Sequence, residues 1–138
     1  MRAVDASVWV SRLVQVDEHY HASRRWLAHH LSGGSLLIAP ALLLIEVAGA
    51  VSRRTGSSQL AHQATSRLLD LSMLRLVSVD QVLAREAARL AADLQLRGAD
   101  AAYVAVAHHL NIPLVTWDRE QAEKAQGAVI VLTPETDA

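Results

Sequence analysis

No cysteine occurs among the 138 residues, which excludes a disulfide framework and any thiolate-held zinc or iron–sulfur centre. A metal, if the chain uses one, must be held by oxygen or imidazole. Phenylalanine is also absent, so the apolar mass comes mainly from Ala, Leu and Val; at 51% hydrophobic residues it still suffices for a real core and argues against disorder. Basic charge is almost entirely guanidinium, because Lys124 is the single lysine among thirteen Lys and Arg residues. Arg offers a planar fork suited to phosphate, although a coding bias toward Arg and Ala would leave the same composition. The net charge of −1 gives no overall basic field of the kind that marks a general nucleic-acid binder. The longest apolar run, Ala39 to Val51, is interrupted by Glu46 and falls short of the ~20 residues a membrane span needs. Met1-Arg2-Ala3-Val4-Asp5 lacks the pattern of a secretory signal, so a cytoplasmic location is expected.

What is present is an alternation. Short runs of branched aliphatics at Arg2–Val4, Leu36–Ala39, Leu74–Val79, Pro113–Thr116 and Val129–Leu132 read as strands. Helical patterns lie between them, at about Ser7–Val14, Glu18–Leu31, Pro40–Arg54, Ser58–Leu71, Asp80–Leu96, Ala99–Leu110 and Arg119–Ala125. Pro40 suits a first helical turn, Thr55-Gly56 a left-handed stop, and Ser78-Val79-Asp80-Gln81 a capping box. Gly33-Gly34 and Arg97-Gly98 read as breaks between elements. Strands alternating with helices imply one α/β domain, with a largely parallel sheet covered on both faces. Such sheets bind ligands at the carboxyl ends of their strands.

Four acids stand out against that frame. Asp5 directly follows the first strand and Asp118 the fourth, where each could serve as a helix N-cap; Gln121 lies at capping-box spacing from Asp118. Glu46 is the only charge in a helix apolar around nearly its whole circumference, and such a helix is buried. A carboxylate there costs several kcal/mol unless paired, hydrogen-bonded or bound to a cation. Asp100 opens another apolar helix and is its only charge before His108-His109; N-capping would also account for it. If the four converge on one cleft, a hard divalent cation resolves their repulsion and points to phosphodiester hydrolysis. Ser7 and Thr116, each two residues from an acid, are candidates to orient those carboxylates.

Several motifs together resemble the PIN-domain family, most closely VapC-type toxins of bacterial toxin–antitoxin pairs. They are Val4-Asp5-Ala6-Ser7-Val8, Leu44-Ile45-Glu46-Val47, Arg97-Gly98-Ala99-Asp100-Ala101-Ala102-Tyr103 and Thr116-Trp117-Asp118-Arg119. The resemblance implies a single PIN-like domain across residues 1–138, with a five-stranded parallel sheet flanked by helices. It implies that Asp5, Glu46, Asp100 and Asp118 bind Mg²⁺ or Mn²⁺ and cleave RNA endonucleolytically. It further implies a homodimer and a cognate VapB-type antitoxin whose C-terminal segment blocks the site. A PIN-like module that binds metal and RNA or protein with little turnover is the competing reading.

Other features carry less. Seven histidines include the pairs His29-His30 and His108-His109, but neighbours on a helix point about 100° apart and no HExxH occurs, so surface or interface positions are expected. Arg12, Arg24, Arg25, Arg53, Arg54, Arg97 and Arg119 are candidates for an RNA-contacting rim, with Arg119 best placed beside Asp118. Trp9, Trp26 and Trp117 read as packing residues, and Asp93 as solvent-facing. A receiver-type domain would need an acidic pair near the first strand and a late lysine after a strand; a haloacid-dehalogenase-type phosphatase would need Asp-x-Asp. Asp5-Ala6-Ser7 and the intrahelical Lys124 fit neither.

Overall fold

A computed structural model describes residues 1–137. The elements in chain order are β1 (Arg2–Val4), α1 (Ala6–Leu13), α2 (Tyr20–Ser32), β2 (Leu37–Pro40), α3 (Leu43–Thr55), α4 (Ser58–Asp70), β3 (Leu74–Val77), α5 (Gln81–Leu94), α6 (Gly98–Leu110), β4 (Leu114–Val115), α7 (Arg119–Ala125) and β5 (Val131–Leu132). The strands form one sheet in the order β3-β2-β1-β4-β5, and every pairing is parallel.

This order reverses direction once. From β1 the chain steps outward to β2 and β3, then crosses back to β4 and steps outward again to β5. Right-handed crossovers, the rule for parallel strands, carry α1 to α4 over one face and α5 to α7 over the other. The packing agrees: α1 lies against α2 and α3, α3 against α4, and α5 against α6, which itself lies across β1, β2 and β4. Ala3 and Val4 are adjacent, so their side chains point to opposite faces, and both are fully buried. The core of the molecule therefore surrounds β1, and the point where the strand order reverses lies between β1 and β4. Open α/β sheets leave a crevice at that point.

The helices are set by short local signals. Asp5, Ser57, Asp80 and Asp118 each cap a helix, their side chains accepting from a backbone N–H two or three residues on. Gly56, at φ 71°, ends α3 in the left-handed conformation that glycine adopts without strain. Three local expectations are corrected. Pro40 ends β2 opposite Val77 instead of opening α3; the N–H of Ala41 bonds to Val77, so the missing N–H of Pro40 faces β1, whose pairing with β2 stops at Ala3 and Ile38. The cap of α5 is Asp80, whose Oδ1 accepts from Leu83 N at 2.9 Å, and not Ser78. Helix α3 is one-sided: Leu43, Val47 and Val51 are buried at a spacing of four, whereas Ile45 is 75% exposed.

Among the described residues no helix is long and apolar enough to cross a membrane.

Candidate active site

Asp5 follows β1 and Asp118 follows β4, the two strands that flank the reversal. The backbone fixes their positions: Asp5 N–H donates to Val115 O at 3.0 Å, and Thr116 N–H donates to Leu132 O at 3.0 Å. Glu46 comes from the first turn of α3 and Asp100 from the first turn of α6. All four carboxylates line one cleft of about 500 Å³, together with Ser7, Val10, Ile45, Arg53 and Arg54. The sequence expectation that these acids share a cleft is met. They line its wall without meeting at one point: among the described residues, no three acidic or imidazole groups are close enough to enclose an ion.

Capping and site placement coincide in two of the four. Asp5 Oδ2 accepts from Ser7 N at 3.1 Å, and Asp118 Oδ1 accepts from Gln121 N at 3.1 Å. Each cap uses one oxygen and leaves the other free. The capping alternative does not hold for Asp100, because the cap position of α6 is Arg97 and the Asp100 side chain makes no cap bond. Glu46 is half-buried, not enclosed in an all-round apolar helix; its Oε1 accepts from the Tyr103 hydroxyl at 2.7 Å.

Ser7 and Thr116 orient the acids, as the spacing suggested. Thr116 Oγ1 lies 3.1 Å from Asp5 Oδ2 and 2.8 Å from Gln121 Oε1, so its single proton serves one of them at a time. The same oxygen accepts from Asp118 N at 3.0 Å. Ser7 Oγ is 3.3 Å from it and accepts from Trp117 N at 3.0 Å. One hydroxyl pair thus ties the end of β1 to the end of β4 and sets Asp5 and Asp118 relative to each other.

Of two further contributors, Gln121 is read in the sequence only by its capping-box spacing and Tyr103 carries no role there. Gln121, fully buried, does not close a capping box with its side chain: Nε2 donates to Asp100 O at 3.3 Å, linking α7 to α6. Tyr103 is fully buried beneath Glu46. The signal for Tyr103 was its spacing of three from Asp100, which puts both on one helix face.

The electrostatics of the cleft are those of crowded acids. Burial raises the Asp5 carboxyl above its ordinary range, against the pull of hydrogen bonds from Ser7 and Thr116, and the charge of Asp118 adds to the rise. Asp100 is pushed up to about 6 by burial and by the charges of Asp5, Asp118 and Glu46. Glu46 is raised by burial and by Asp5, with the Tyr103 hydrogen bond opposing. Among the described residues none of the four forms an ion pair, although Arg53 and Arg54 stand at the cleft and Arg54 is engaged by Asp17 at 2.7 Å. A set of hard oxygen donors without a protein countercharge fits a hard divalent cation.

The expected arginine rim divides. Arg53 and Arg54 line the cleft; Arg119 is exposed and does not. Arg97 pairs with Glu120 at 3.9 Å. Arg12, Arg24 and Arg25 gather elsewhere. Trp9 and Trp26 are core residues, and Trp117 stacks on His19 with centroids 3.8 Å apart. Asp93 is exposed, paired with Arg89. His30 is a correction to the surface reading: it is buried at 4% exposure, beside Trp26 and Asp137.

A PIN-domain family model matches residues 2–127. The chain belongs to the PIN-domain family. The PIN fold here is similar to that of VapC20 of Mycobacterium tuberculosis, a sarcin–ricin-loop-cleaving toxin, with a TM-score of 0.77 and 22% identity over 94% of this chain and 97% of that one. It is similar to FitAcB of Neisseria gonorrhoeae, with a TM-score of 0.72 and 19% identity over 98% and 99% of the two chains. It is also similar to VapBC2 of Rickettsia felis, solved bound to a fragment of its promoter DNA, with a TM-score of 0.70 and 14% identity over 96% and 97%. No curated protein matches the chain.

Proposed function

We propose that this PIN domain is a divalent-metal-dependent endoribonuclease, the toxin of a VapBC-type toxin–antitoxin pair. Asp5, Glu46, Asp100 and Asp118 are its metal-binding and catalytic acids, and Mg²⁺ or Mn²⁺ is the ion. Its partners are an RNA substrate, a VapB-type antitoxin and a second copy of the chain, and it works in the cytoplasm.

One observation carries this reading: four acids from four separate elements line a single cleft at the strand-order reversal, with no ion-pairing cation among the described residues. A charge pattern so unfavourable to the isolated protein is retained where a cation is to be bound. When bound, the ion polarises the phosphodiester and lowers the pKa of water beside it. The chain's own residues do the rest. Thr116 and Ser7 hold Asp5 and Asp118 in register, and Tyr103 holds one oxygen of Glu46. Asp100, pushed up to about 6 by burial and by the charges of Asp5, Asp118 and Glu46, shows the crowding that a bound cation would relieve. Arg53 and Arg54 stand where they can meet the non-bridging oxygens of a phosphate. Kinship supports the assignment: the structural relatives include a sarcin–ricin-loop-cleaving toxin and a toxin–antitoxin complex of Klebsiella pneumoniae.

The test is cleavage of pooled cellular RNA by the purified chain with Mg²⁺, with EDTA, and by Asp5→Asn and Asp100→Asn variants. Cleavage should vanish in EDTA and fall at least about 100-fold in each variant, or about 2.7 kcal/mol of transition-state stabilisation. A folded wild type that cleaves no RNA with Mg²⁺ or Mn²⁺ leaves the binding-module reading in its place.

A further inference from the structure

A second cleft, separate from the acidic one, is lined by Arg12, His21, Arg24, Arg25 and Ala28, and encloses about 330 Å³. Arg12 lies near the end of α1, and Arg24 and Arg25 on the second turn of α2. Arg67 of α4 is near enough for its charge, after burial and Arg24, to hold the Arg12 guanidinium below its ordinary range. Among the described residues no acid forms an ion pair with Arg12, Arg24, Arg25 or Arg67. Their only polar side-chain partner among the described residues is the Tyr20 hydroxyl, which accepts from Arg24 Nη1 at 3.0 Å, with the guanidinium over the Tyr20 ring.

We propose that this cleft is an RNA-backbone subsite, binding phosphates of the substrate strand a few nucleotides from the bond that is cut. The proposal rests on the ribonuclease reading and extends it. Half-burying Arg12 among other cations costs stability in the free protein, and a polyanion relieves that cost. Three guanidinium forks on one groove match phosphate oxygens, which accept bidentate hydrogen bonds. The groove is also joined to the acids by a rigid element. Helix α1 carries Ser7 in its first turn and Val10 in the wall of the acidic cleft, and Arg12 in the wall of the basic one. At 1.5 Å per residue, Arg12 lies roughly 10 Å along the helix from Asp5. At 100° per residue Arg12 lies about 140° round α1 from Ser7, so the groove opens on another face of that helix; its guanidinium forks, paired with no acid among the described residues, favour the phosphates of an RNA strand.

The test separates binding from cleavage. Binding of a fluorescent single-stranded RNA is measured by anisotropy in EDTA for the wild type, Arg24→Gln/Arg25→Gln and Arg12→Gln. The surface pair carries the conclusion if Arg12→Gln fails to fold. The double variant should bind about tenfold or more weakly at low salt, and its slope of log affinity against log salt should flatten by roughly 0.7 for each phosphate it no longer neutralises. A dinucleotide should bind the double variant and the wild type alike. In Mg²⁺, the cleavage defect should fall on KM and not on kcat. Unchanged RNA affinity and salt slope in a folded double variant overturn the subsite. So does weakened binding of an acidic peptide with RNA affinity intact, which would make the groove a protein-docking surface. Arginine-dependent RNA binding in EDTA by a wild type that cleaves nothing in Mg²⁺ supports the groove and defeats the ribonuclease reading alone.

Discussion

Asp5 and Asp137 are buried to nearly the same degree, at 6% and 7% exposure, and the fold provides for them in opposite ways. Asp137 is met by Arg2, whose Nη2 donates to Oδ1 at 2.8 Å, and by Trp26, whose Nε1 donates to Oδ2 at 3.0 Å. Burial alone would raise its pKa, but Arg2 and Trp26 bring it below the ordinary range. Asp5 receives hydroxyl and backbone N–H donors and no cation, stands among other acids, and is raised. The difference separates a carboxylate neutralised by the protein from one left for something else to neutralise. The first locks the segment after β5 onto β1 and α2; the second is a buried carboxylate that the protein's own cations do not offset, the condition the proposed ion would relieve.

Exchanging each acid for its amide breaks the comparison most sharply. Asp137→Asn should lower stability by about 2 kcal/mol, because it leaves Arg2 without a countercharge, while cleavage per folded molecule is kept. Asp5→Asn should leave urea stability unchanged or raised, since asparagine still caps α1 and the repulsion from Asp118 is gone, although cleavage is lost. Urea denaturation of the two variants beside the wild type checks both. A stability loss at Asp5 as large as that at Asp137 would mean that Asp5 is structural.

A smaller effect separates the acidic cleft, through Asp100, from Asp137 by pH. The folded-state pKa of Asp100 is about 6, above the ordinary 3.8, so the folded chain takes up this proton more readily than the unfolded one. Its contribution is fully present below about pH 4 and is lost as pH rises through about 6. In EDTA the melting midpoint of the wild type, taken relative to Asp100→Asn, should therefore rise between pH 7 and pH 5. Asp137, with its pKa depressed, contributes in the opposite sense: stability present above the ordinary carboxylate pKa and lost only in more acidic solution. Equal slopes for wild type and Asp100→Asn would show that Asp100 is not perturbed.

The smallest change sharpens the comparison within the acidic cleft. Tyr103→Phe removes the one hydrogen bond that orients Glu46. Mg²⁺ affinity, followed by the rise in melting midpoint with added ion, should fall up to about tenfold, with a stability loss of about 1 kcal/mol. No change in affinity would remove Tyr103 from the site.

The acids at the strand ends were legible because each follows a short aliphatic strand, and the parallel alternation already puts such positions on one edge of the sheet. Glu46 was legible for the wrong local reason, since α3 is exposed along Ile45 and the carboxylate is held by Tyr103, a partner 57 positions away. Gln121 was read by its local spacing, and its side chain answers instead to Asp100 on another helix. Helix stops show the same division. Gly56 announces the end of α3, but Gln95 and Asn111 end α5 and α6 in left-handed conformations at φ 56° and 53°, and Gly98, read as a break, opens α6. Asn111 suits that conformation by its own propensity, whereas at Gln95 the stop is tied by Leu96 N–H donating to Ala91 O at 3.1 Å, with Leu96 buried. His30 and Asp137 were illegible as a pair because the packing that buries them joins distant parts of the chain.

The hydroxyl pair that sets the site also dates it. Asp5 and Thr116 stand 111 positions apart, and β1 has β4 as its second neighbour. During synthesis β1, with its acid, waits with one edge open while β2, β3 and six helices are made before β4. Folding of the centre is thus governed by its least local pairings, the slow kind, and the cleft acquires its geometry only when the segment from Leu114 to Asp118 has joined. The four acids therefore share one cleft only after this least local pairing has closed.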